Sequence, residues 1–114
     1  MFVTRPPGHH SSEDITSGFC YLNWTYLISQ YLINKLSNKV CVIDLDLHHG
    51  NGTQKMLEGD NDTLFLDFHY YDGIFYPQTG NEMDDTSNNI INVNMPRDSD
   101  DDIYLEKLTS KFDN

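Results

Sequence analysis

Basic residues are scarce. The 114-residue chain carries 7 Lys and Arg against 18 Asp and Glu, a formal net charge of −11. That balance argues against general binding to nucleic-acid backbones, which needs clustered Lys and Arg. It fits a basic partner such as a lysine-rich peptide, although from charge alone a merely soluble surface is the favoured reading. Long apolar runs are also absent, so no segment reads as a membrane-spanning helix. The N-terminus lacks the basic, apolar and small-residue regions of a secretory signal. Only two cysteines are present, Cys20 and Cys41, too few for a disulfide framework. Both lie in apolar segments. The expectation is two buried, reduced thiols and a nuclear or cytoplasmic setting.

The length allows one small domain at most. A segment with functional character sits within ten residues of Met1, and Lys111-Phe112-Asp113-Asn114 closes the chain with no final strand. Residues 1–114 therefore read as a piece of a larger domain.

Phe2-Val3 reads as a strand end, and Arg5-Pro6-Pro7-Gly8 denies the following backbone a helix. Apolar spacing predicts a helix over 18–36, capped by Ser17 and ended by Ser37-Asn38. Residues 39–47 are almost continuously apolar apart from their acids, which predicts a central parallel strand covered on both faces. A short helix over 51–57 follows, with Asn51 or Thr53 near its cap, then a surface turn over 58–62. Strands are expected over 63–69 and 90–95, separated by a long loop over 70–83 and a polar, mobile tract over 84–89. The last element is an acid-capped helix over 100–112 with Ile103, Tyr104, Leu108 and Phe112 on its apolar face. Such alternation argues for an α/β fold with a parallel sheet.

The chemistry concentrates in Val42-Ile43-Asp44-Leu45-Asp46-Leu47-His48-His49-Gly50-Asn51-Gly52. Asp44, Asp46 and His48 fall at alternate positions, so an extended strand would place all three on one face. Burying such a row is costly unless something compensates it, and a cation does so directly. A carboxylate and an imidazole suit Zn²⁺ or another first-row divalent ion. Asp46 and His48 supply two such ligands, a third having to come from elsewhere; the alternative is ordinary polar residues at a strand end. His9 and His10 suit acid–base chemistry, with Asp44 and Asn51 available as orienting acceptors, or they form an exposed pair in a loop. His49 and His69 read as structural. Gly50-Asn51-Gly52 lacks the Lys and Ser/Thr of a phosphate loop and reads as a tight turn under a site. Phe19 and Tyr76, each in a glycine-containing segment, could wall a slot for a methylene chain, or simply pack in a core. Cys20, at the start of an apolar helix, is not a convincing nucleophile.

Four stretches together carry a resemblance: RPPGHH at 5–10, SGFCYLN at 17–23, VIDLDLHHGNGTQ at 42–54 and HYYDGIFYPQTG at 69–80. In this order and spacing they resemble the histone deacetylase family. The resemblance implies a three-layer arginase/deacetylase-like α/β fold with a mainly parallel sheet, of which this chain is a central fragment. It implies zinc-dependent hydrolysis of the acetyl amide of acetyl-lysine in histones or other proteins. Asp46 and His48 match two of three zinc ligands. His10 matches the general base, His9 its electrostatic partner backed by Asp44, and Asn51 the residue behind His10. Phe19 and Tyr76 match the walls of the acetyl-lysine channel, and Gly18 the carbonyl that receives the substrate amide. Asp44, Asp46, His48, Asp67 and Phe68 match a structural K⁺ site.

The chain departs from the pattern in four places: Asn51 where some members have aspartate, Tyr76 where Phe is usual, Asp67 where serine is frequent, and Trp24 where a smaller residue is usual. The third zinc ligand and the transition-state tyrosine of the family match nothing here, which implies that the fragment alone is inactive. The implied partners are an acetyl-lysine peptide or histone tail and corepressor-type proteins, with no direct nucleic acid or membrane. Two alternatives stand: a deacetylase of acetylated polyamines or other small amides, and a non-catalytic binding remnant.

Overall fold

The computed structural model describes residues 5–36, 38–84 and 87–112. The strand end at Phe2-Val3, the helix stop at Ser37 and the tract residues Asp85 and Thr86 lie outside the described residues. The order is α1 (Trp24–Leu36), β1 (Val40–Asp44), α2 (Asn51–Leu57), β2 (Thr63–Tyr70), a 3-10 turn (Glu82–Asp84), β3 (Ile90–Met95) and α3 (Asp101–Phe112). The three strands pair in parallel, in the order β1-β2-β3.

The period of two along the strands sorts their side chains into two cores. On one face Val42, Phe65 and Ile90 pack with Leu57 of α2 and with Tyr26 of α1. On the other, Leu66, Phe68, Val93 and Met95 pack with Ile103, Tyr104 and Leu108 of α3. Helices thus cover both faces of a parallel sheet, the layering expected from the alternation of elements. Phe65 and Phe68 are fully buried, and each contributes roughly 2–3 kcal/mol by leaving water.

The first face changes character toward the C-terminal ends of its strands. Register aligns Asp44 with Asp67 and Asp67 with Asn92. Apolar packing therefore gives way to a polar shelf, and the loops that follow the strands stand on it.

Several boundaries differ from the sequence reading. The first helix begins at Trp24, not residue 18. Gly18 and Phe19 both have positive φ, 52° and 65°, and form a tight turn closed by paired Ser17 and Cys20 backbones. The cap is Asn23, whose Oδ1 accepts the N–H of Tyr26 at 3.0 Å. The first strand stops at Asp44, not residue 47. The Asp44 and Asp46 carboxylates accept the N–H groups of Asp46 and His48 at 3.0 and 2.9 Å. These local turns compete with a strand ladder. Asp44, Asp46 and His48 consequently do not share the face of one strand.

Among the described residues β1 is an edge and β2 is central; Ile43, Leu45 and Leu47 are exposed. Cys41 is exposed rather than buried, and both thiols are free. The N-cap position of α2 is Gly50, which has no side chain, so neither Asn51 nor Thr53 caps it. The last helix is capped as expected, with Asp100 Oδ1 accepting the N–H of Ile103 at 3.1 Å, but Phe112 remains exposed. No helix among the described residues is long and apolar enough to cross a membrane.

Candidate active site

The loops on the polar shelf enclose a cavity of about 180 Å³ lined by Pro7, His9, His10, Gly18, Phe19, Asp46, His48 and Tyr76. A larger cavity of about 580 Å³ opens at the other end of the strands, among Lys39, Asn61, Asp62 and Asn88. It gathers none of the candidate residues. The small cavity is where the chemistry lies.

The histidine pair is held by its backbone and by both rings. The first N–H groups of α2, from Gly52 and Thr53, donate to the His9 carbonyl at 2.9 and 3.1 Å. A β-carbon at Gly52 would run into the Ser11 carbonyl oxygen and come within 2.6 Å of the His10 carbonyl carbon. Only glycine lets the two segments approach so closely. Gly18 has the same role on the other side, where an added β-carbon would lie 2.7 Å from His10 Cγ.

His9 Nδ1 lies 2.9 Å from Asp44 Oδ2, and His10 Nδ1 lies 2.8 Å from Asn51 Oδ1. The ring centres are 4.0 Å apart. Burial works to lower the pKa of both. For His9 the Asp44 hydrogen bond and the charges of Asp44, Asp46 and Asp67 outweigh burial and raise it. For His10 burial prevails, reinforced by the neighbouring His9 and His48, and its pKa falls. Burial alone would raise Asp44, but the bond and charge of His9 and the Asp46 N–H hold its pKa down. The pair is therefore split in direction, His9 pushed toward its cation and His10 toward its neutral form. Since Asn51 offers His10 an oxygen acceptor, Nδ1 carries the proton and Nε2 keeps its lone pair.

Asp46 Oδ1 lies 3.2 Å from His48 Nδ1 and 3.8 Å from His9 Nε2. Both residues open to the cavity. An oxygen and an imidazole nitrogen this close fit two positions in the shell of a divalent ion. Among the described residues, no group of three or more His, Cys, Asp and Glu converges as a metal site. The fit is thus that of two donors, not of a complete ligand set.

Of the five residues matched to a potassium site, Asp44 and Asp67 stand opposite each other in the strand register. Asp67 is fully buried, and its oxygens take His69 Nδ1 at 2.9 Å and the Gly50 N–H at 2.6 Å. Burial, then the nearby Asp44 charge, raises its pKa, against the bonds from His69 and Gly50. The Phe68 ring points into the opposite core.

Phe19 and Tyr76 line the same cavity, with Phe19 90% exposed and Tyr76 44%. They are walls open to solvent rather than core residues. The Tyr76 ring meets His10 edge-on at 5.0 Å, and Phe75 stacks on His48 at 4.9 Å. Cys20 is buried; its sulfur accepts the His10 N–H at 3.4 Å, and burial raises its thiol pKa. It supports the loop and is no activated nucleophile.

Other supports emerge only in three dimensions. Asn23 is buried and donates to the Ser11 carbonyl and Thr53 Oγ1, both at 3.0 Å, joining the histidine loop to α2 and α1. His49 bonds Thr79 Oγ1 at 2.8 Å and Gln54 Oε1 at 2.7 Å. His69 Nε2 and Asn94 Nδ2 both reach the Gly80 carbonyl. These bonds pin the loop that carries Tyr76 to the sheet. The sequence signal for Asn23 is slight: one amide between an apolar segment and a helix start.

A family model described as "Histone deacetylase domain" matches residues 1–113. The chain is 44% identical to human Histone deacetylase 9 over 80 residues, covering 68% of this chain and 8% of that protein. It is 36% identical over 107 residues to Histone deacetylase HOS1 of Saccharomyces cerevisiae, covering 93% of this chain and 23% of that protein. Among solved structures, an acetylpolyamine aminohydrolase from Burkholderia pseudomallei superposes with a TM-score of 0.83 at 31% identity, covering 96% of this chain and 33% of that one. The HDA15 HD domain superposes with a TM-score of 0.70 at 36% identity, covering 79% of this chain and 27% of that one. The chain thus spans from under a tenth to about a third of the length of these relatives.

Proposed function

Since this chain belongs to the histone deacetylase family, with the α/β fold of its arginase/deacetylase-type neighbours, we propose that it supplies part of the active site of a zinc-dependent hydrolase acting on acetyl-lysine in proteins. The observation that carries this reading is the split histidine pair facing Asp46 and His48 across one cavity. Asp46 and His48 would hold the ion. When bound, zinc supplies Lewis acidity to a carbonyl and acidifies water.

The chain's own residues divide the remaining work. His10 Nε2 accepts the proton of the attacking water, and later returns it to the leaving amine. Burial, reinforced by His9 and His48, lowers its pKa against the Asn51 hydrogen bond and so favours the neutral ring that a base needs. Asp44 favours the protonated form of His9, and its positive charge would favour the negative charge developing in the transition state. Phe19 and Tyr76 flank the methylene stem of the lysine, and the Gly18 carbonyl receives a substrate N–H. A net charge of −11 favours a basic acetylated tail as partner. A K⁺ ion near Asp44, Asp46, His48, Asp67 and Phe68, corepressor-type partners and a nuclear or cytoplasmic location belong to the same reading. With two candidate metal donors among the described residues, the 114-residue chain by itself is expected to be inactive.

One observation favours a second substrate class. A TM-score of 0.83 ties the fold to an acetylpolyamine aminohydrolase. Acetate release by the complete protein from an acetyl-lysine peptide and from an acetylated polyamine separates the two. The leading reading expects the peptide to have the higher kcat/KM. Turnover of the polyamine alone would replace it, and turnover of neither, with zinc bound, would favour a binding module.

A further inference from the structure

We infer that Ser17 is a positioning residue: its hydrogen bond to the Tyr76 hydroxyl latches the two walls of the slot and restricts it to slim, unbranched stems. This rests on the reading that the slot takes an acylated straight-chain amine. Ser17 Oγ and Tyr76 Oη lie 2.6 Å apart, across 59 positions of sequence.

Both ends of the latch are fixed by other means. On one side, Ser17 and Cys20 exchange backbone hydrogen bonds, N–H to carbonyl, at 2.7 and 3.3 Å. The turn between them holds Phe19 at φ 65°, a conformation bulky residues avoid unless their surroundings enforce it. On the other side, the Tyr76 ring rests edge-on against His10, and the loop behind it is tied down through Thr79 and Gly80. The Ser17–Tyr76 bond joins these two rigid pieces at the mouth, where Phe19 stands 90% exposed. Phenylalanine at position 76 would keep the wall and lose the latch.

The test uses the complete protein with Ser17→Ala, Tyr76→Phe, the double variant and Ser17→Thr. Steady-state kinetics are measured on an acetylated linear amine and on its counterpart with a methyl branch in the stem. Each single loss raises KM for the linear substrate about three- to tenfold, as for one hydrogen bond. It changes kcat less and narrows the preference for linear over branched. The double variant does no more than the worse single one, because both break the same bond. Ser17→Thr, which keeps a hydroxyl, retains the preference. Additive losses, or an unchanged preference, would overturn the latch.

A second measurement is independent of turnover. The ¹⁹F resonance of 3-fluorotyrosine at position 76 shifts on Ser17→Ala and not on the distant Ser99→Ala. A shift without any deacetylation would sink the proposed function and leave the latch standing. No shift on Ser17→Ala would overturn the latch, whatever the activity.

Discussion

The imidazoles of His9 and His10 lie 4.0 Å apart, and their outer partners differ by one functional group, the carboxylate of Asp44 against the amide of Asn51. Together with burial and the neighbouring His48, that difference pushes the pKa values of two adjacent histidines in opposite directions, His9 up and His10 down. A carboxylate stabilises the imidazolium, while an amide oxygen merely orients a neutral ring. Adjacent groups pushed in opposite directions mark the division between a charged partner and a base.

Asp44→Asn should destabilise the protein by about 2 kcal/mol, since one side of a largely buried pair is lost. The effect depends on pH. His9 has a raised folded pKa, so its contribution is complete below its ordinary value of 6.5 and fades as pH rises through the folded one. Asp44 has a depressed folded pKa, so its contribution is complete above its ordinary value of 3.8 and fades as pH falls through the folded one. Urea unfolding of both proteins should show the largest difference near pH 5, between those ordinary values, and a smaller one toward alkaline pH. An equal difference at every pH would show that the pair does not titrate as described.

Gly52→Ala should cost about 1–3 kcal/mol, because the added methyl meets backbone at Ser11 and His10 rather than a movable side-chain tip. It should lower activity as well, by shifting the histidines away from Asp46 and His48. Thermal unfolding together with kcat/KM checks both effects. A neutral substitution would mean that α2 and the histidine loop are not in close contact.

His49 is buried, and burial is the leading reason its pKa falls to about 4. The folded protein then resists protonation that the unfolded chain accepts below about 6.5. Stability should therefore be complete above 6.5 and decline as pH falls toward 4, by up to about 3 kcal/mol from this residue. Titration of the imidazole by NMR decides the point, since an inflection near 6.5 would show a ring open to solvent.

The elements were readable where a local signal was unbroken. The strands at 63–70 and 90–95 are short, mostly buried runs rich in apolar residues, and the helix at 101–112 has its acids at the start. The reading failed where side chains compete with the backbone. Asp44 and Asp46 end the first strand by capturing N–H groups, and Asn23 claims the helix start that apolar spacing gave to residue 18. The histidine pair and the DxH residues were visible as chemistry, and the loops bring them to one cavity. What stayed hidden were supports that exist only between distant segments: Asn23 with Ser11 and Thr53, His49 with Thr79, and Ser17 with Tyr76.

Asp46→Ala and His48→Ala, in the complete protein, should each weaken zinc binding by more than about a hundredfold, beyond the 10–100-fold typical of outer partners. Competition with a chelating dye measures it. Zinc affinity that survives both substitutions would remove these residues from the metal site.

The most direct test of the account is the pH dependence of kcat/KM for the complete protein and its Asn51→Asp variant on an acetyl-lysine peptide. With Asn51 in place, the acidic limb should report His10 and lie below the ordinary imidazole value of 6.5. A carboxylate at position 51 should favour the imidazolium and move that limb upward by about one unit. A limb that stays in place, or moves downward, would contradict the assignment of His10 as the base and with it the division of labour between the two histidines.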